Sequence, residues 1–358
     1  MTTKTVLVAM SGGVDSSVAA LLLKQQGYNV IGATMQIWPA DLPDPQGSGG
    51  CCSLSAVNDA RRVADMLDIP YYVFNMRDIF QKNVIDYFVD EYTNGRTPNP
   101  CIACNRHLKF DAFLNKAHTI GADFIATGHY SKIGYNSTYN RYVLGKAKDL
   151  NKDQTYVLYN MTQEQLKHTL FPLSEYVKPE VRKLAEDFGM LVAHKPESQE
   201  ICFVPDNDYR KFLKEKAGIN PKPGYFISTK GDILGEHKGI PYYTIGQRKG
   251  LGIALGYPIY VVSIDVARNQ VVLGCEEEVT RGSLEASCVN YVALDELIKP
   301  MTCAAKIRYK SPEVPATIFP IEGGKIKVVF DDPQKAITPG QAVVFYKDDI
   351  VLAGGTID

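Results

Sequence analysis

Val6-Leu7-Val8-Ala9-Met10-Ser11-Gly12-Gly13-Val14-Asp15-Ser16-Ser17 is the stretch whose reading decides the fold. Four apolar residues predict a short buried strand, Ser-Gly-Gly interrupts it at once, and Ser16 to Gln26 keeps a helical run that Gly27 ends. A strand, a glycine turn and a helix N-terminus in direct succession form a corner suited to phosphate. The first helical turn has unpaired N–H groups and a partial positive charge, and glycine lets an anion approach the backbone closely. Ser11, Ser16 and Ser17 add hydroxyl groups. No Gly-Lys-Ser/Thr follows, so the stretch is not a Walker A loop, and it is not Gly-x-Gly-x-x-Gly either. A bare Ser-Gly-Gly is an ordinary strand-to-helix turn, whereas the whole run behind a buried strand is far more specific.

Outward from this corner, the chain of 358 residues is long enough for two or three domains with separate cores. Hydrophobic and charged contents of 45% and 22% are those of an ordinary soluble protein, and no apolar run approaches a membrane span. The start MTTKTVLVAM enters the first strand directly, without a secretory or transit pattern, so the expected location is cytoplasmic. The eight cysteines then read as thiols with chemical work or as buried residues, not as a disulfide framework. A net charge of −1 argues against attraction of the whole molecule to nucleic acid and leaves room for local basic patches. Heptads and long apolar faces are missing, which makes a monomer the expectation.

Asn29 to Met35 reads as a second strand, and Met35 at its carboxyl end either packs on a ligand or fills the core. Pro39 to Gly50 has no period and many turn residues, which predicts a mobile loop. Cys51-Cys52-Ser53 follows, then a helix capped by Ser55 and running through Leu67, a strand over Tyr71–Phe74 and a helix over Ile79–Tyr92. This alternation implies a parallel sheet, so the N-terminal part is an open α/β domain. Phe124 to Thr127 adds a strand whose carboxyl-end loop, Gly128-His129-Tyr130, faces the same side as the phosphate corner. Between these lies Thr97-Pro98-Asn99-Pro100-Cys101-Ile102-Ala103-Cys104-Asn105-Arg106. Its two prolines predict extended backbone, with a helix starting soon after Cys104. A cysteine near a helix start and beside Arg106 has the surroundings of a nucleophilic thiolate. Zinc at Cys101-x-x-Cys104 lacks a matching second pair, which the adjacent Cys51 and Cys52 supply poorly.

Asn151-Lys152-Asp153-Gln154-Thr155-Tyr156 is the next dense polar signal, followed by helices from Thr162 and over Pro179–Phe188. Cys202, in Glu197-Ser198-Gln199-Glu200-Ile201-Cys202-Phe203, reads as a buried structural thiol when taken alone. From about Lys211 the helical period fades and short strands with turn signals take over, at Gly224–Ile227, Tyr260–Val262 and Gln270–Leu273. A further β-rich segment from about Ser283 contains Ala304 to Lys310, where Lys306, Arg308 and Lys310 alternate with apolar residues beside Tyr309. That alternation predicts positive charges on one face of a strand, either a solvated edge or the side of a small barrel that grips a phosphate backbone.

SGGVDSS resembles the pyrophosphate-binding PP-loop of the ATP pyrophosphatases, enzymes that adenylate a substrate and release pyrophosphate. TPNPCIACNRHLKF, ATGHY, NKDQTY, ESQEICF, YTIGQRKGLGI and TPGQAVVFY follow it in the order seen in the tRNA 2-thiouridylases of the MnmA type, and the likeness spans nearly the whole chain. The resemblance implies a PP-loop domain over residues 1–210 with an open parallel sheet of the adenine nucleotide alpha hydrolase kind. It implies a small β-rich central domain over 211–278 and a C-terminal β-barrel over 279–358 that helps hold the tRNA.

The reaction it implies replaces oxygen by sulfur at the 2-position of the wobble uridine, position 34, giving 2-thiouridine, AMP and pyrophosphate. ATP with magnesium would be required, and Asp15 would help hold the metal. Cys202 would carry the sulfur as a persulfide, and Cys104, the family's nucleophile, would close a transient disulfide on it. Ala9, Met10, Ser11, Gly12, Gly13, Val14, Asp15, Ser16, Met35 and Gly128 match the ATP contacts. Asn99, Pro100 and Cys101 match the segment that touches the target base. His129, Lys152, Asp153, Gln154, Arg308, Tyr309 and Gln341 match tRNA contacts. Many members carry Asp where this chain has Cys101, so no general base is assigned, and Cys101 can compete with Cys104 for Cys202. The partners implied are tRNAs of the Lys, Glu and Gln types and a sulfur donor, either a cysteine desulfurase or a relay protein. The competing expectation is another PP-loop tRNA thiolase in which Cys101, Cys104 and Cys202 ligate an iron–sulfur cluster.

Overall fold

The computed structural model describes residues 3–38, 54–196, 201–204, 208–215 and 217–358. The loop expected over Pro39–Gly50, the Cys51-Cys52 pair and Glu197–Glu200 lie outside the described residues. The chain divides into two compact units, one formed by residues 1–84, 101–207 and 349–351, the other by 85–100, 208–348 and 352–358.

The first unit is built on a parallel sheet of β1 (Thr5–Ala9), β2 (Asn29–Gln36), β3 (Tyr71–Asn75), β4 (Phe124–Ala126) and β7 (Thr169–Leu170). The hairpin of β5 (Lys132–Asn136) and β6 (Arg141–Gly145) lies outside that sheet. The sheet order is β3-β2-β1-β4-β7, with every pairing parallel. β1 is central, and the chain runs outward from it to one side through β2 and to the other through β4. Such a switch point opens a crevice at the carboxyl end of β1, which is where Ser11-Gly12-Gly13 leave the sheet. Val6, Leu7 and Val8 are wholly buried, as a central strand covered on both faces requires.

Helices α1 (Val14–Gln25), α2 (Leu54–Met66) and α3 (Lys178–Asp187) supply much of the core against this sheet. α1 starts two residues before the expected Ser16, because Gly13 is extended (φ −102°, ψ 164°) and serves as its N-cap. The second difference lies near Cys104, where the helix begins at Pro100 and Cys104 is the last residue of its α turn. Proline suits a first helical position, since its missing N–H has no partner there. A π-helical stretch, Asn105–Ala112, and an α-helix, Phe113–Thr119, continue the same rod.

In the second unit, β8 (Gly224–Ser228), β9 (Ile233–His237), β10 (Tyr260–Asp265) and β11 (Gln270–Gly274) form a sheet in the order β10-β11-β8-β9. Phe226, Val261, Val271 and Leu273 fill its core. The strands β12 (Thr280–Tyr291), β13 (Met301–Lys306), β14 (Val314–Ile321), β15 (Lys325–Lys335), β16 (Ala342–Lys347) and β17 (Ile350–Ile357) close into a barrel through a β12–β17 pairing. Residues 85–100 pack in this unit, where Phe88 meets Phe212 edge to face and Tyr92 stacks on Tyr209 at 4.7 Å. The strand expected through Lys310 stops at Lys306. Ser311 donates its N–H and its hydroxyl to the Arg308 carbonyl, which turns the chain and takes Arg308, Tyr309 and Lys310 off the strand face.

Candidate active site

The corner read from the sequence is a wound loop over the N-terminus of α1. Gly12 takes φ +68°, and a Cβ there would stand 2.2 Å from the Ala56 carbonyl oxygen, so α2 leaves room only for glycine. The Ser11 N–H donates to Ser16 Oγ at 3.1 Å, and the Ser16 and Ser17 hydroxyls donate to the Gly13 carbonyl at 3.2 and 2.9 Å. These bonds pre-form a ring of small groups around the helix end, with Asp15 in the first turn. Gly128, at the carboxyl end of β4, lies directly on this loop: a Cβ there would stand 2.7 Å from both Asp15 C and Ser16 N. The structure therefore brings Gly128 together with Asp15 and Ser16, while Met35 is half-buried near the end of β2. Met10 is a core side chain, 1% exposed.

Two lysines absent from the sequence reading stand at this loop. Lys178, the first residue of α3, is buried and places Nζ 2.7 Å from each Asp15 carboxylate oxygen; Tyr130 donates its phenol to Asp15 Oδ1 at 2.7 Å. Lys195 donates to the Gly12 carbonyl at 3.0 Å and to Asp59 Oδ2 at 2.8 Å. Arg182 fixes the turn that carries Lys195 by donating to the Ala193 carbonyl at 2.6 Å and to that of Lys195 at 3.4 Å. Partners 163 and 136 residues apart leave no local trace; a lysine before Pro179 at a helix start was the one available hint for Lys178.

This arrangement bears on the magnesium expected at Asp15. Both carboxylate oxygens already face an ammonium and one also accepts a phenol, and no cluster of three metal-ligating side chains occurs among the described residues. A magnesium ion there would compete with Lys178 and Tyr130 for the Asp15 carboxylate. The fixed cations at the corner are the two lysines.

Cys104 and Cys202 are half-buried thiols and Cys101 is an exposed one. The segment bearing Cys202 is anchored by Phe203, which packs edge to face on Phe80 at 5.6 Å. Cys101, Cys104 and Cys202 do not converge as a metal-holding trio. Elsewhere, burial pushes the Cys303 thiol up to about 12, which leaves it inert.

Of the residues matched to tRNA contacts, several are engaged within the protein. His129 is 8% exposed, hydrogen-bonded to Thr127 at 2.7 Å and flanked by Phe110 and Phe171. Burial, with a smaller contribution from the Lys109 charge, holds its imidazole well below the ordinary histidine range and therefore neutral. A direct tRNA contact requires that ring to leave its place between the phenylalanines. Asp153 accepts from the Thr155 hydroxyl at 2.5 Å, and Gln154 Oε1 accepts from the Tyr130 N–H at 2.9 Å, so both side chains staple the loop that carries half-buried Lys152. Arg308 donates to the Lys335 carbonyl at 2.6 Å beside Tyr309, which is 37% exposed. Gln341 donates to the carbonyls of Thr97 and Pro98 at 2.9 and 3.2 Å, directly before half-buried Asn99 and buried Pro100.

Three family models match successive parts of the chain. Residues 4–206 match the model described as tRNA methyl transferase HUP domain, 210–275 the tRNA methyl transferase PRC-barrel domain, and 281–357 the Aminomethyltransferase beta-barrel domain. A tRNA-specific 2-thiouridylase MnmA of Acetivibrio thermocellus is 60% identical, with 100% of each chain covered. The relative of that name from Clostridium perfringens is 57% identical over 100% of this chain and 99% of its own. That of Moorella thermoacetica is 55% identical over 98% and 99%. With such identity along essentially the whole length, the chain belongs to the family of tRNA-specific 2-thiouridylases of the MnmA type.

Proposed function

We propose that this chain is a tRNA-uridine 2-sulfurtransferase that thiolates the wobble uridine of tRNA at the expense of ATP. The observation that carries the reading is the SGGVDSS corner at the switch point of a parallel sheet, in a chain 60% identical over its full length to a named 2-thiouridylase. A uracil carbonyl resists substitution because oxide is a poor leaving group. Attack of the uracil O2 on the α-phosphorus of ATP forms an O–P bond and breaks the bond to pyrophosphate, which converts that oxygen into part of AMP. Negative charge then develops on the departing pyrophosphate, where the first N–H groups of α1 and the hydroxyls of Ser11 and Ser16 are already gathered. Lys195, held at the Gly12 carbonyl, is the cation best placed to follow that charge. Lys178 is committed to Asp15 and holds the first turn of α1 in place.

Sulfur arrives on Cys202 as a persulfide from a donor protein. Its outer sulfur bonds to C2 and AMP leaves; the Cys104 thiolate then attacks Cys202 Sγ, the S–S bond breaks, and the sulfur stays on C2 as 2-thiouridine. A Cys104–Cys202 disulfide results, and a dithiol reductant resets it. In this reading Asn99, Pro100 and Cys101 face the target base, and Lys152, Arg308 and Tyr309 meet the tRNA backbone in tRNAs of the Lys, Glu and Gln types. Asp153, Gln154 and His129 act there by shaping the Tyr130–Thr155 region. A cluster on Cys101, Cys104 and Cys202 finds no support in the placement of those thiols.

The test is to separate the two half-reactions. With Cys202→Ser or Cys104→Ser, tRNA-dependent pyrophosphate release is expected to persist while 2-thiouridine disappears. Loss of pyrophosphate release in both variants contradicts the division of labour proposed here.

A further inference from the structure

Residues 96–98 lead into the segment assigned to the target base; the Arg96 N–H donates locally to the Glu91 carbonyl at 2.9 Å, while Thr97 and Pro98 are held from the other end of the chain. The Thr97 N–H donates to the Pro339 carbonyl at 2.8 Å. The Gln341 amide donates to the carbonyls of Thr97 and Pro98 at 2.9 and 3.2 Å. Arg96 donates to the Ile357 carbonyl at 3.1 Å and pairs with Glu91 at 2.9 Å. Gly340 takes φ +88°, and a Cβ there would stand 2.9 Å from Thr97 N and O, so the turn closes on Thr97 only because it is glycine. Ile357 in turn donates to the Gln341 carbonyl at 2.8 Å, which ties the turn to the last strand of the barrel.

The chemistry explains why a carboxamide stands there. Pro98 and Pro100 have no N–H, so this stretch cannot hold itself by backbone pairing, and two successive carbonyls need donors from elsewhere. A glutamine NH2 offers two hydrogens on one nitrogen, one for each carbonyl. A glutamate in its place sets oxygen against oxygen twice.

We propose that Gln341 is a positioning residue of the thiolation reaction: it latches Thr97 and Pro98 and thereby sets the aim of Asn99, Pro100 and Cys101. The proposal rests on the reading of residues 99–101 as the target-base segment. It replaces direct tRNA contact by the Gln341 NH2 as the residue's main role, because that group is already bonded to Thr97 and Pro98.

The experiment compares Gln341→Ala, Gln341→Glu and Gln341→Lys by three measurements: peptide-resolved alkylation of exposed Cys101 in tRNA-free protein, tRNA affinity, and the single-turnover thiolation rate. The latch predicts that Ala and Glu speed Cys101 alkylation several-fold without tRNA. It predicts that they slow thiolation about tenfold or more while tRNA affinity stays within about twofold. Lys, which keeps the donors and discards the carbonyl oxygen, restores both rates toward the parent. Unchanged Cys101 alkylation in tRNA-free Ala and Glu variants, with weakened tRNA binding, overturns the latch and makes Gln341 a tRNA contact. Altered alkylation with an unaltered thiolation rate upholds the latch and removes residues 99–101 from the base site.

Discussion

Replacing Lys178 by Met tests whether Asp15 serves this ammonium or a metal. Met keeps the length and apolar stem of the side chain, so the change deletes chiefly two charged hydrogen bonds of 2.7 Å and leaves Asp15 with the Tyr130 phenol. Breaking a fully buried ion pair costs about 3–5 kcal/mol. Here the Lys178 side chain is 9% exposed but Asp15 keeps 30%, so water compensates part of the loss, and about 2 kcal/mol is expected. For a unit of this size that corresponds to a melting transition lower by about 4–8 °C, read by calorimetry or circular dichroism at fixed pH. Asp15→Asn combined with Lys178→Met is expected to recover more than half of the loss, since the stranded carboxylate is gone. A fall of less than about 2 °C, or a double variant no better than the summed single effects, refutes the pairing. In that event Asp15→Asn should instead raise the magnesium concentration needed for half-maximal pyrophosphate release.

Two further outcomes follow from the same corner. Gly128→Ala inserts a methyl 2.7 Å from Asp15 C and Ser16 N; overpacking of this kind costs about 1–3 kcal/mol, and because the displaced atoms form the phosphate loop, ATP affinity should fall with it. Isothermal titration with ATP checks this, and unaltered affinity would place the nucleotide elsewhere. His129 gives a pH signature: its imidazole is held neutral by burial, so below about pH 6.5 the unfolded chain takes up a proton that the folded chain refuses, and stability drops with acidification. Denaturant titrations from pH 7.5 to 5.0 should show that slope, and His129→Phe should flatten it.

How much of this was legible in the sequence depends on how local each feature is. The strand, turn and helix of Val6–Ser17 are settled by neighbours within a few residues, so hydrophobic period and glycine placement disclosed them. The helix at Pro100 was misread because two prolines suggest extended chain, while the same ring also suits a helix start. The alternation of Lys306, Arg308 and Lys310 imitated a strand, and only the bonds of Ser311 to Arg308 show that the chain turns there. β12, with only two of its twelve residues buried, lacks the apolar run that marks a strand. The pairings of Lys178 with Asp15 and Gln341 with Thr97 join residues 163 and 244 positions apart, and nothing in composition or spacing announces such contacts. The same holds for His129, whose burial depends on Phe110 and Phe171 arriving from different elements.

The most direct test of the central claim is nucleoside mass analysis after incubating the purified chain with an unmodified tRNA transcript of the lysine or glutamate type, ATP, magnesium, a dithiol reductant and a persulfide donor, a cysteine desulfurase supplied with cysteine. A 2-thiouridine at position 34 that requires ATP, accompanied by pyrophosphate release that requires the tRNA, is the predicted result. Pyrophosphate release without any thionucleoside contradicts the roles given to Cys104 and Cys202, and a thionucleoside formed without ATP contradicts the role given to the SGGVDSS corner.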